Sequence, residues 1–381
     1  MIINNIKNMI ITAMNHECLI HFSHTDLDGF GCHLVTRKVC LREGVSMPIT
    51  YNSDDLGDKF QDFLEKAIRL IMSNNGRMTF LVTDIGEIDF IELTKKLANY
   101  RINLIIVDHH AISNPEKVGD NYTHDDETGL DIYSYENEYN DSYVYVHSTK
   151  NSATWLLAQI LGVTNYNEFH WISEYDCGRW GEWRLDKEHT PTNMVRMNQA
   201  LQIIKSAYSD DKDSVILHHL ETYAEYLTSN ICDPETEAFG KLLDFNIRAK
   251  CNENTRSYYK WVKKLNIVPI SHYSYIFKVG LNTDYEKSVE VKFPEDPVYM
   301  GTWAVIIQED KDEGPFSTYA KQYLEDNLII KGIIKYTPNF KDIVSFRSAS
   351  DEVDVSKIAV LNGGGGHPRA AGFMAKPEIL M

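Results

Sequence analysis

One imidazole and two carboxylates follow the apolar run CLIHFS (residues 18–23). They belong to His24, Asp26 and Asp28, which occupy every second position of SHTDLDG. If the backbone stays extended there, the three side chains point to the same side. Gly29 then lets the chain turn close beneath them. A lone D-x-D pair is usually a solvated turn, but a histidine in phase with both carboxylates predicts a metal site.

Two later apolar runs are also followed by residues of types that can bind metals. Asp84 follows MTFLVT, and Asp108, His109 and His110 follow INLIIV. A single aspartate after a strand is usually a helix cap, and adjacent histidines are often a surface feature. The carboxyl ends of parallel strands, however, meet at one edge, where α/β proteins bind ligands. Three strands ending in this way predict one shared site.

Asp176 is a further candidate ligand, since it follows the helical pattern ISEY in the Trp-rich segment EYDCGRWGEW. The alternative is a packed helix end. Oxygen and imidazole donors without thiolates suit Mn²⁺ or Mg²⁺, and Zn²⁺ or Co²⁺ remain alternatives. Several carboxylates that can bridge indicate two ions, which clamp a phosphoryl group and activate a water.

A glycine run near the C-terminus, GGGGHPRAAG (363–372), indicates a second kind of site. Its backbone N–H groups can approach an anion, and its His and Arg can add donors. A flexible linker is the alternative, but the small apolar residues that follow indicate close packing. An arginine in the run VSFRS can bind a phosphate in bidentate fashion, although such a residue is often structural. The predicted phosphate-binding residues are Gly364, Gly365, Gly366, His367, Arg369 and Arg347.

The pattern of the first ~110 residues predicts an α/β fold with a parallel sheet covered on both faces. The predicted strands are CLIHFS, MPITYN, MTFLVTD and INLIIVDHH. Helical periodicity covers the intervening segments 29–44, 55–74 and 87–100. We interpret the acidic, Tyr-rich segment 114–141 as a surface loop, with a substrate-contacting lid as the alternative.

Later segments predict two further parts of the chain. Residues 192–264 carry long helical patterns and few strand signals, and from 265 strands return with a helix near STYAKQYLEDN. We therefore expect a catalytic domain at 17–191, a helical connector at 192–264, and a smaller α+β domain at 265–381.

Composition limits the classes of function. The 381 residues include 38 Lys and Arg against 55 Asp and Glu, a net charge of -17, and 43% are hydrophobic. This acidity disfavours broad binding to long nucleic acid, although bound cations can attract a small phosphate ligand. No run approaches the ~18 apolar residues of a membrane helix, and the start lacks a secretory signal. We expect a cytoplasmic protein with reduced cysteines and no membrane partner.

In their order along the chain, these motifs resemble those of the DHH phosphoesterase family. The matching segments are SHTDLDG (23–29), VTD (82–84), DHH (108–110) and YDCG (175–178), followed by VSFRS (344–348) and GGGGHPRAAG, which resemble the DHH-associated C-terminal domain. The chain is most similar to the bacterial oligoribonuclease B, or nanoRNase, type.

The resemblance implies an N-terminal α/β domain that holds two Mn²⁺ ions, with Mg²⁺ or Co²⁺ as substitutes, and a C-terminal domain across a substrate cleft. The implied ligands are His24 and Asp26 for the first ion, Asp28, His109 and Asp176 for the second, and Asp84 as the bridge. Asp108 and His110 would orient this catalytic site. Many relatives place the first histidine four residues before the first carboxylate, whereas His24 precedes Asp26 by two.

The activity implied by the resemblance is hydrolysis of short RNA oligonucleotides to mononucleotides. The alternatives are cyclic dinucleotides, their linear products or phosphoadenosine nucleotides, because the same metals would serve any of them. A noncatalytic nucleotide-binding regulator is a rival from another class. A processive exonuclease is disfavoured, because no basic, aromatic-interleaved segment is present. A homodimer is compatible with this assignment.

Overall fold

The computed structural model divides the chain into two compact units. It describes residues 2–53, 64–65, 69, 78–177, 191–209, 213–270 and 274–379, except 87, 113, 120, 127, 137–141, 281–285, 308–315, 338–341, 349, 351 and 376–377. The first unit holds the described residues up to 177 together with those of 192–247, and the second holds Pro191 and the described residues from Arg248 onward. Most of the segment predicted as a helical connector therefore lies in the first unit.

The first unit is built on a seven-stranded sheet among the described residues. Its strands are β1 (Cys18–Ser23), β2 (Ile49–Asn52), β3 (Met78–Thr83), β4 (Ile102–Asp108), β5 (Tyr122–Asp125), β6 (Leu130–Glu136) and β7 (Ser142–His147). Their order is β2-β1-β3-β4-β7-β6-β5. The first five strands in this order are parallel. Strand β6 pairs antiparallel with β7, and β5 pairs antiparallel with β6. The predicted α/β class is confirmed.

Helices cover this sheet and continue beyond it. They are α1 (Ile2–His16), α2 (Leu27–Glu43), α3 (Phe90–Leu97), α4 (Ala153–Leu161), α5 (Asn167–Asp176), α6 (Asn193–Ala207), α7 (Asp213–Thr228) and α8 (Pro234–Val262), with a short 3₁₀ turn at Pro115–Lys117. The boundary between the two units lies within α8. The helix predicted over 55–74 lies outside the described residues, apart from three positions.

Both faces of the central strands are buried, which explains their continuous apolar runs. On one face, Phe22, Phe80 and Ile106 pack with Phe90 of α3 in one core. On the other face, His21 approaches α2, where its Nδ1 lies 3.4 Å from Thr36 Oγ1. Each strand is therefore held between helices, and its carboxyl end is fixed in place.

The surface loop expected over 114–141 is wrong, because β5 and β6 extend the sheet there. Leu130 and Ile132 are each 1% exposed, and Tyr133 and Tyr135 pack against the core on the opposite face. The strand LDIYSYE thus has apolar or aromatic side chains on both faces, so its pattern does not alternate simply. The surrounding acidic residues concealed this signal.

The second unit contains two sheets and two helices of its own among the described residues. One sheet has the order β14 (Gly365–His367), β15 (Ala370–Met374), β13 (Ile343–Arg347), β12 (Ile330–Thr337), β11 (Gly301–Ile307) and β8 (Asn266–Ile270). The other has the order β16 (Glu378–Ile379), β10 (Glu286–Lys292) and β9 (Ser274–Gly280). The helices are α9 (Phe316–Asp326) and α10 (Val355–Leu361), and a 3₁₀ turn spans Pro297–Tyr299. This is the predicted α+β arrangement.

The glycine run forms part of this sheet, which argues against the flexible-linker alternative. A Cβ at Gly364 would lie 2.1 Å from the Gly372 carbonyl oxygen, and Gly366 has a φ of +133°. Only glycine allows this approach of one backbone to another.

In the described part of the chain, no helix is long and apolar enough to cross a membrane.

The β5–β6 edge can be tested by comparing two residues that face each other in the sheet. Ile132 pairs with Thr123, which is exposed. We expect Ile132→Ala to lower the free energy of unfolding by about 2–5 kcal/mol, because it leaves a cavity in the core. Thr123→Ala is the matched control and should change it by less than about 0.5 kcal/mol. Urea unfolding measures both, and equal small effects would restore the loop interpretation.

Candidate metal centre

His24, Asp26 and Asp28 reach the site through a helix start and not through an extended strand. Strand β1 ends at Ser23, Asp26 caps α2 by accepting a hydrogen bond from Gly29 N at 3.0 Å, and Asp28 lies in the first turn. The expected alternation along an extended backbone is therefore wrong. The residues still converge because Gly29 lies against His24, whose carbonyl oxygen would be 2.1 Å from an added Cβ.

Asp84 lies at the centre of the cluster. It is 2% exposed and has a φ of 56°, a left-handed conformation that aspartate tolerates better than most residues. Its N–H donates to the Val107 carbonyl at 3.0 Å, which fixes it between two strand ends. Its Oδ1 lies 3.2 Å from His109 Nε2, and its Oδ2 lies 4.0 Å from His24 Nδ1.

His109 gathers three carboxylates around one ring nitrogen. Its Nε2 lies 3.2 Å from Asp84 Oδ1, 3.4 Å from Asp28 Oδ2 and 3.4 Å from Asp176 Oδ2. His24 is nearby and pairs with Asp26, since Nδ1 and Oδ2 are 3.0 Å apart. The first unit thus brings together every residue that the sequence proposed as a metal ligand.

Asp28 is held by the start of a helix that the sequence analysis did not connect with the site. Its two carboxylate oxygens accept hydrogen bonds from the N–H groups of Ala153 and Thr154, at 2.8 and 2.9 Å. These N–H groups begin α4, where the helix dipole favours a negative charge. The Thr154 hydroxyl also donates to the Asp28 carbonyl at 2.8 Å. The two N–H groups therefore fix the fully buried carboxylate.

Asp108 and His110 support the cluster from its edge. His110 Nδ1 lies 2.8 Å from Asp108 Oδ1, and the Tyr145 hydroxyl donates to Asp108 Oδ2 at 3.2 Å. His147 donates from Nε2 to the His110 carbonyl at 2.8 Å. The sequence analysis did not identify Tyr145 and His147 as supporting residues; both lie in strand β7.

A hydroxyl and imidazole network underlies Asp84. The Ser23 hydroxyl donates to the Thr83 carbonyl at 3.0 Å, and the Thr83 hydroxyl donates to Ser23 Oγ at 2.8 Å. His21 Nε2 donates to Thr83 Oγ1 at 2.9 Å. Buried polar residues within otherwise apolar strands are the sequence signal that could have revealed this support.

Burial and mutual repulsion dominate the electrostatics of the cluster. Burial and the charge of Asp26 and Asp28 raise the pKa of Asp84 well above its ordinary value, and burial and Asp28 do the same for Asp176. Burial also lowers the pKa of His109, which favours the neutral ring that a metal needs. In the part of the chain that the structure describes, the cluster therefore carries more negative than positive charge.

At two aspartates, a hydrogen-bonded histidine lowers the pKa by more than burial raises it. Although burial raises the pKa of Asp26, the hydrogen bond and charge of His24 lower it below its ordinary range. His110 outweighs burial in the same way at Asp108. Conversely, burial lowers the pKa of His110, but Asp108 raises it to about 9, so His110 is protonated at neutral pH.

The donor atoms suit divalent cations. His24, Asp26 and Asp84 form one compact group of donors, and Asp28, Asp84 and His109 form another, each within 4.8 Å. Asp84 Oδ2 and Asp176 Oδ2 are buried but accept no hydrogen bond from the described residues. Unsatisfied buried carboxylate oxygens are costly unless a cation compensates them. Oxygen and imidazole donors match Mn²⁺, Mg²⁺, Zn²⁺ or Co²⁺.

The predicted phosphate-binding residues lie in the second unit. Gly364, Gly365, Gly366, His367 and Arg369 belong to the β14–β15 hairpin or precede it. Arg347 ends β13, pairs with Ala370 in the sheet, and donates from Nε and Nη2 to Ser317 Oγ at 3.1 and 2.7 Å. Its guanidinium also lies 5.1 Å from the centre of the Phe316 ring. Their role in binding stays a prediction.

The motif order, the α/β sheet and this donor cluster resemble those of DHH-type phosphoesterases and nucleases. No protein-family model matches the chain. Among curated proteins, the chain is 22% identical over 375 residues to oligoribonuclease NrnB from Bacillus subtilis (strain 168), covering 94% of this chain and 73% of that protein. This match confirms the resemblance to the oligoribonuclease B type that the motifs indicate.

Solved structures give more distant similarities. Exonuclease RecJ bound to manganese aligns with a TM-score of 0.43 and 15% identity, over 98% of this chain and 90% of that chain. CDC45 from Entamoeba histolytica aligns with a TM-score of 0.39 and 10% identity, over 93% and 89% of the two chains.

The bridging position of Asp84 predicts the effect of removing its charge on metal binding. Asp84→Asn should weaken Mn²⁺ binding by about a hundredfold or more, because both donor groups lose the same carboxylate. Asp89→Asn is the matched control, since Asp89 follows the same strand but caps α3. Calorimetric titration with Mn²⁺ measures both affinities. An unchanged affinity in Asp84→Asn would remove Asp84 from the centre.

Although Asp84→Asn should weaken metal binding, we expect the same substitution to stabilise the metal-free protein. The folded-state pKa of Asp84 exceeds its ordinary value of 3.8, so the buried carboxyl destabilises the fold increasingly as the pH rises above that value. In a chelating buffer at pH 7, Asp84→Asn should therefore raise the free energy of unfolding by about 1 kcal/mol or more. The gain should disappear near pH 4. Urea unfolding at the two pH values measures this, and destabilisation at pH 7 would contradict it.

Proposed function

We propose that the protein is a two-metal phosphodiesterase that hydrolyses short RNA oligonucleotides to mononucleotides. The observation that carries the proposal is the sharing of Asp84 by two donor groups, one with His24 and Asp26 and the other with Asp28 and His109. Mn²⁺ is the proposed ion for both groups. The similarity to an oligoribonuclease over 94% of the chain supports this choice of substrate.

The chain's own residues would hold the site ready for the reaction. The α4 N–H groups fix Asp28, and the strand ends fix Asp84. Asp108 fixes the His110 ring through their hydrogen bond. When bound, divalent ions neutralise phosphate oxygens and activate a water for in-line attack. Because these residues already stand in position, little reorganisation accompanies the reaction. The mechanism needs no nucleophile from the protein.

His110 would contribute positive charge to substrate binding. It is one-third exposed, and although burial lowers its pKa, the charge of Asp108 raises it to about 9 in the metal-free protein. A cation at the edge of an acidic cluster attracts the phosphate of an incoming substrate. Tyr145 and Asp108 would keep the His110 ring in the orientation needed for that contact.

Cations in the second unit would bind the substrate's phosphate end. Arg347 and Lys335 lie 5.1 and 4.7 Å from the centre of the Phe316 ring, so the two positive charges share one aromatic contact. Burial and the charge of Arg347 lower the pKa of Lys335, as expected for closely spaced cations. An anion relieves such repulsion, and arginine binds phosphate in bidentate fashion.

Substrate length tests the proposal most simply. With Mn²⁺, mononucleotides should form from dimers to pentamers about tenfold faster or more than from a strand of about 24 nucleotides, because the acidic chain lacks the charge for long nucleic acid. Resolution of the products of each strand gives the rates, with Asp84→Asn as the inactive control. Equal rates on long and short strands would exclude the short-RNA assignment. Faster turnover of a cyclic dinucleotide or a phosphoadenosine nucleotide would assign the centre to those substrates.

The role of Arg347 can be separated from metal binding. Arg347→Ala should weaken binding of a nonhydrolysable dinucleotide by about tenfold, because a charge-assisted contact contributes about 1.5–3 kcal/mol. Metal content should not change. Lys357→Ala is the control, since it removes an exposed positive charge from the same unit. Calorimetric titration measures the affinities, and equal affinity in Arg347→Ala and the unmodified protein would remove Arg347 from the substrate site.

A further inference from the structure

Cys177 lies at the edge of the metal centre, although the sequence analysis treated the centre as free of thiolates. It follows Asp176 directly and ends α5 as its C-terminal cap, with its N–H donating to the Ser173 carbonyl at 2.9 Å. The residue is partly buried. The end of this helix therefore supplies a carboxylate and a thiol side by side.

The thiol is close to donors already assigned to the centre. The Cys177 sulphur, a ring nitrogen of His109 and a carboxylate oxygen of Asp176 all lie within 4.8 Å of one another. His109 Nε2 is also 3.4 Å from Asp176 Oδ2 and 3.2 Å from Asp84 Oδ1. One imidazole thus connects the thiol with the carboxylates of the second donor group.

Buried carboxylate oxygens of Asp84 and Asp176 point independently to bound cations in this centre. Asp84 is 98% buried, and its Oδ2 accepts no hydrogen bond from any residue that the structure describes. This oxygen lies 4.0 Å from His24 Nδ1. Asp176 Oδ2 is likewise buried without a hydrogen-bond donor among the described residues, and it lies 3.4 Å from Nε2 of His109, the residue that Cys177 approaches. A buried acceptor without a donor is compensated by a bound ion.

Other cysteines of the first unit have different surroundings. Cys40 is buried in contact with Met14 and the Ser46 carbonyl, and Cys32 is buried 3.9 Å from the Thr154 hydroxyl. Cys232 lies beyond α7, near the Glu225 and Ser229 carbonyls. Among the donor groups found in the described part of the chain, Cys177 is the cysteine that takes part.

We propose that Cys177 is a sulphur ligand of the second metal ion, beside His109 and Asp176. The inference rests on the metal centre of the proposed function and extends its ligand set. On binding, the thiol releases its proton to water and the sulphur forms the bond to the ion. Thiolate ligands favour Zn²⁺ and Co²⁺ over Mn²⁺ and Mg²⁺. The sulphur would therefore strengthen the binding of Zn²⁺ or Co²⁺ at this position more than that of Mn²⁺, the proposed ion.

Cobalt spectroscopy of the full chain tests this ligand without measuring activity. Titration with Co²⁺ should give visible d–d bands together with a near-ultraviolet sulphur-to-cobalt charge-transfer band. Cys177→Ser should keep the d–d bands and lose the charge-transfer band. Cys232→Ser is the matched control and should keep both. In parallel, Cys177→Ser should lower the affinity for Zn²⁺ by about tenfold or more and change the affinity for Mn²⁺ much less.

The possible results separate this inference from the proposal on which it rests. Visible d–d bands without a charge-transfer band in the unmodified protein would overturn the sulphur ligand and leave the metal centre intact. A charge-transfer band that persists in Cys177→Ser would assign the sulphur to another cysteine and also overturn it. The absence of all cobalt bands and of any binding heat would overturn the metal centre itself, and the ligand with it.

Discussion

The structure depends on the crowding of buried carboxylates around one imidazole. Asp28, Asp84 and Asp176 all lie within 3.4 Å of His109 Nε2, and the neutral ring cannot compensate three negative charges. Repulsion of this kind is unfavourable in a protein interior unless cations are bound. The features around the cluster limit this cost: the α4 N–H groups bind Asp28, His24 pairs with Asp26, and His110 pairs with Asp108.

The parallel sheet makes this crowding possible. Strands β3 and β4 are buried over their length, and β1 is buried from Leu19 onward, so the residues that follow their carboxyl ends have fixed positions. Asp84 occupies a left-handed conformation between two of these ends, a departure from ordinary backbone geometry that the neighbouring strands stabilise. The cost of holding like charges together is thus met by the large apolar core beneath them.

Much of this arrangement could be predicted from the sequence. The runs CLIHFS, MTFLVT and INLIIV identified the three strands, because side chains buried on both sheet faces must be continuously apolar. The residues after each run identified the cluster, because parallel strands end at a common edge. Asp28 was placed at the site for the wrong geometric reason, since a helix cap at Asp26 replaces the extended backbone that the alternation assumed.

Other features depend on contacts between distant residues. Tyr145 and His147 reach the Asp108–His110 pair from β7, and Ala153 and Thr154 reach Asp28 from α4, which no local pattern reveals. Strands β5 and β6 were missed because acidic and tyrosine residues concealed their apolar positions.

The most direct test of the account is anomalous scattering from a crystal soaked in Mn²⁺. We predict two peaks, both in contact with Asp84, one beside His24 and one beside His109. A single peak, or peaks that do not contact Asp84, would contradict the shared two-metal centre.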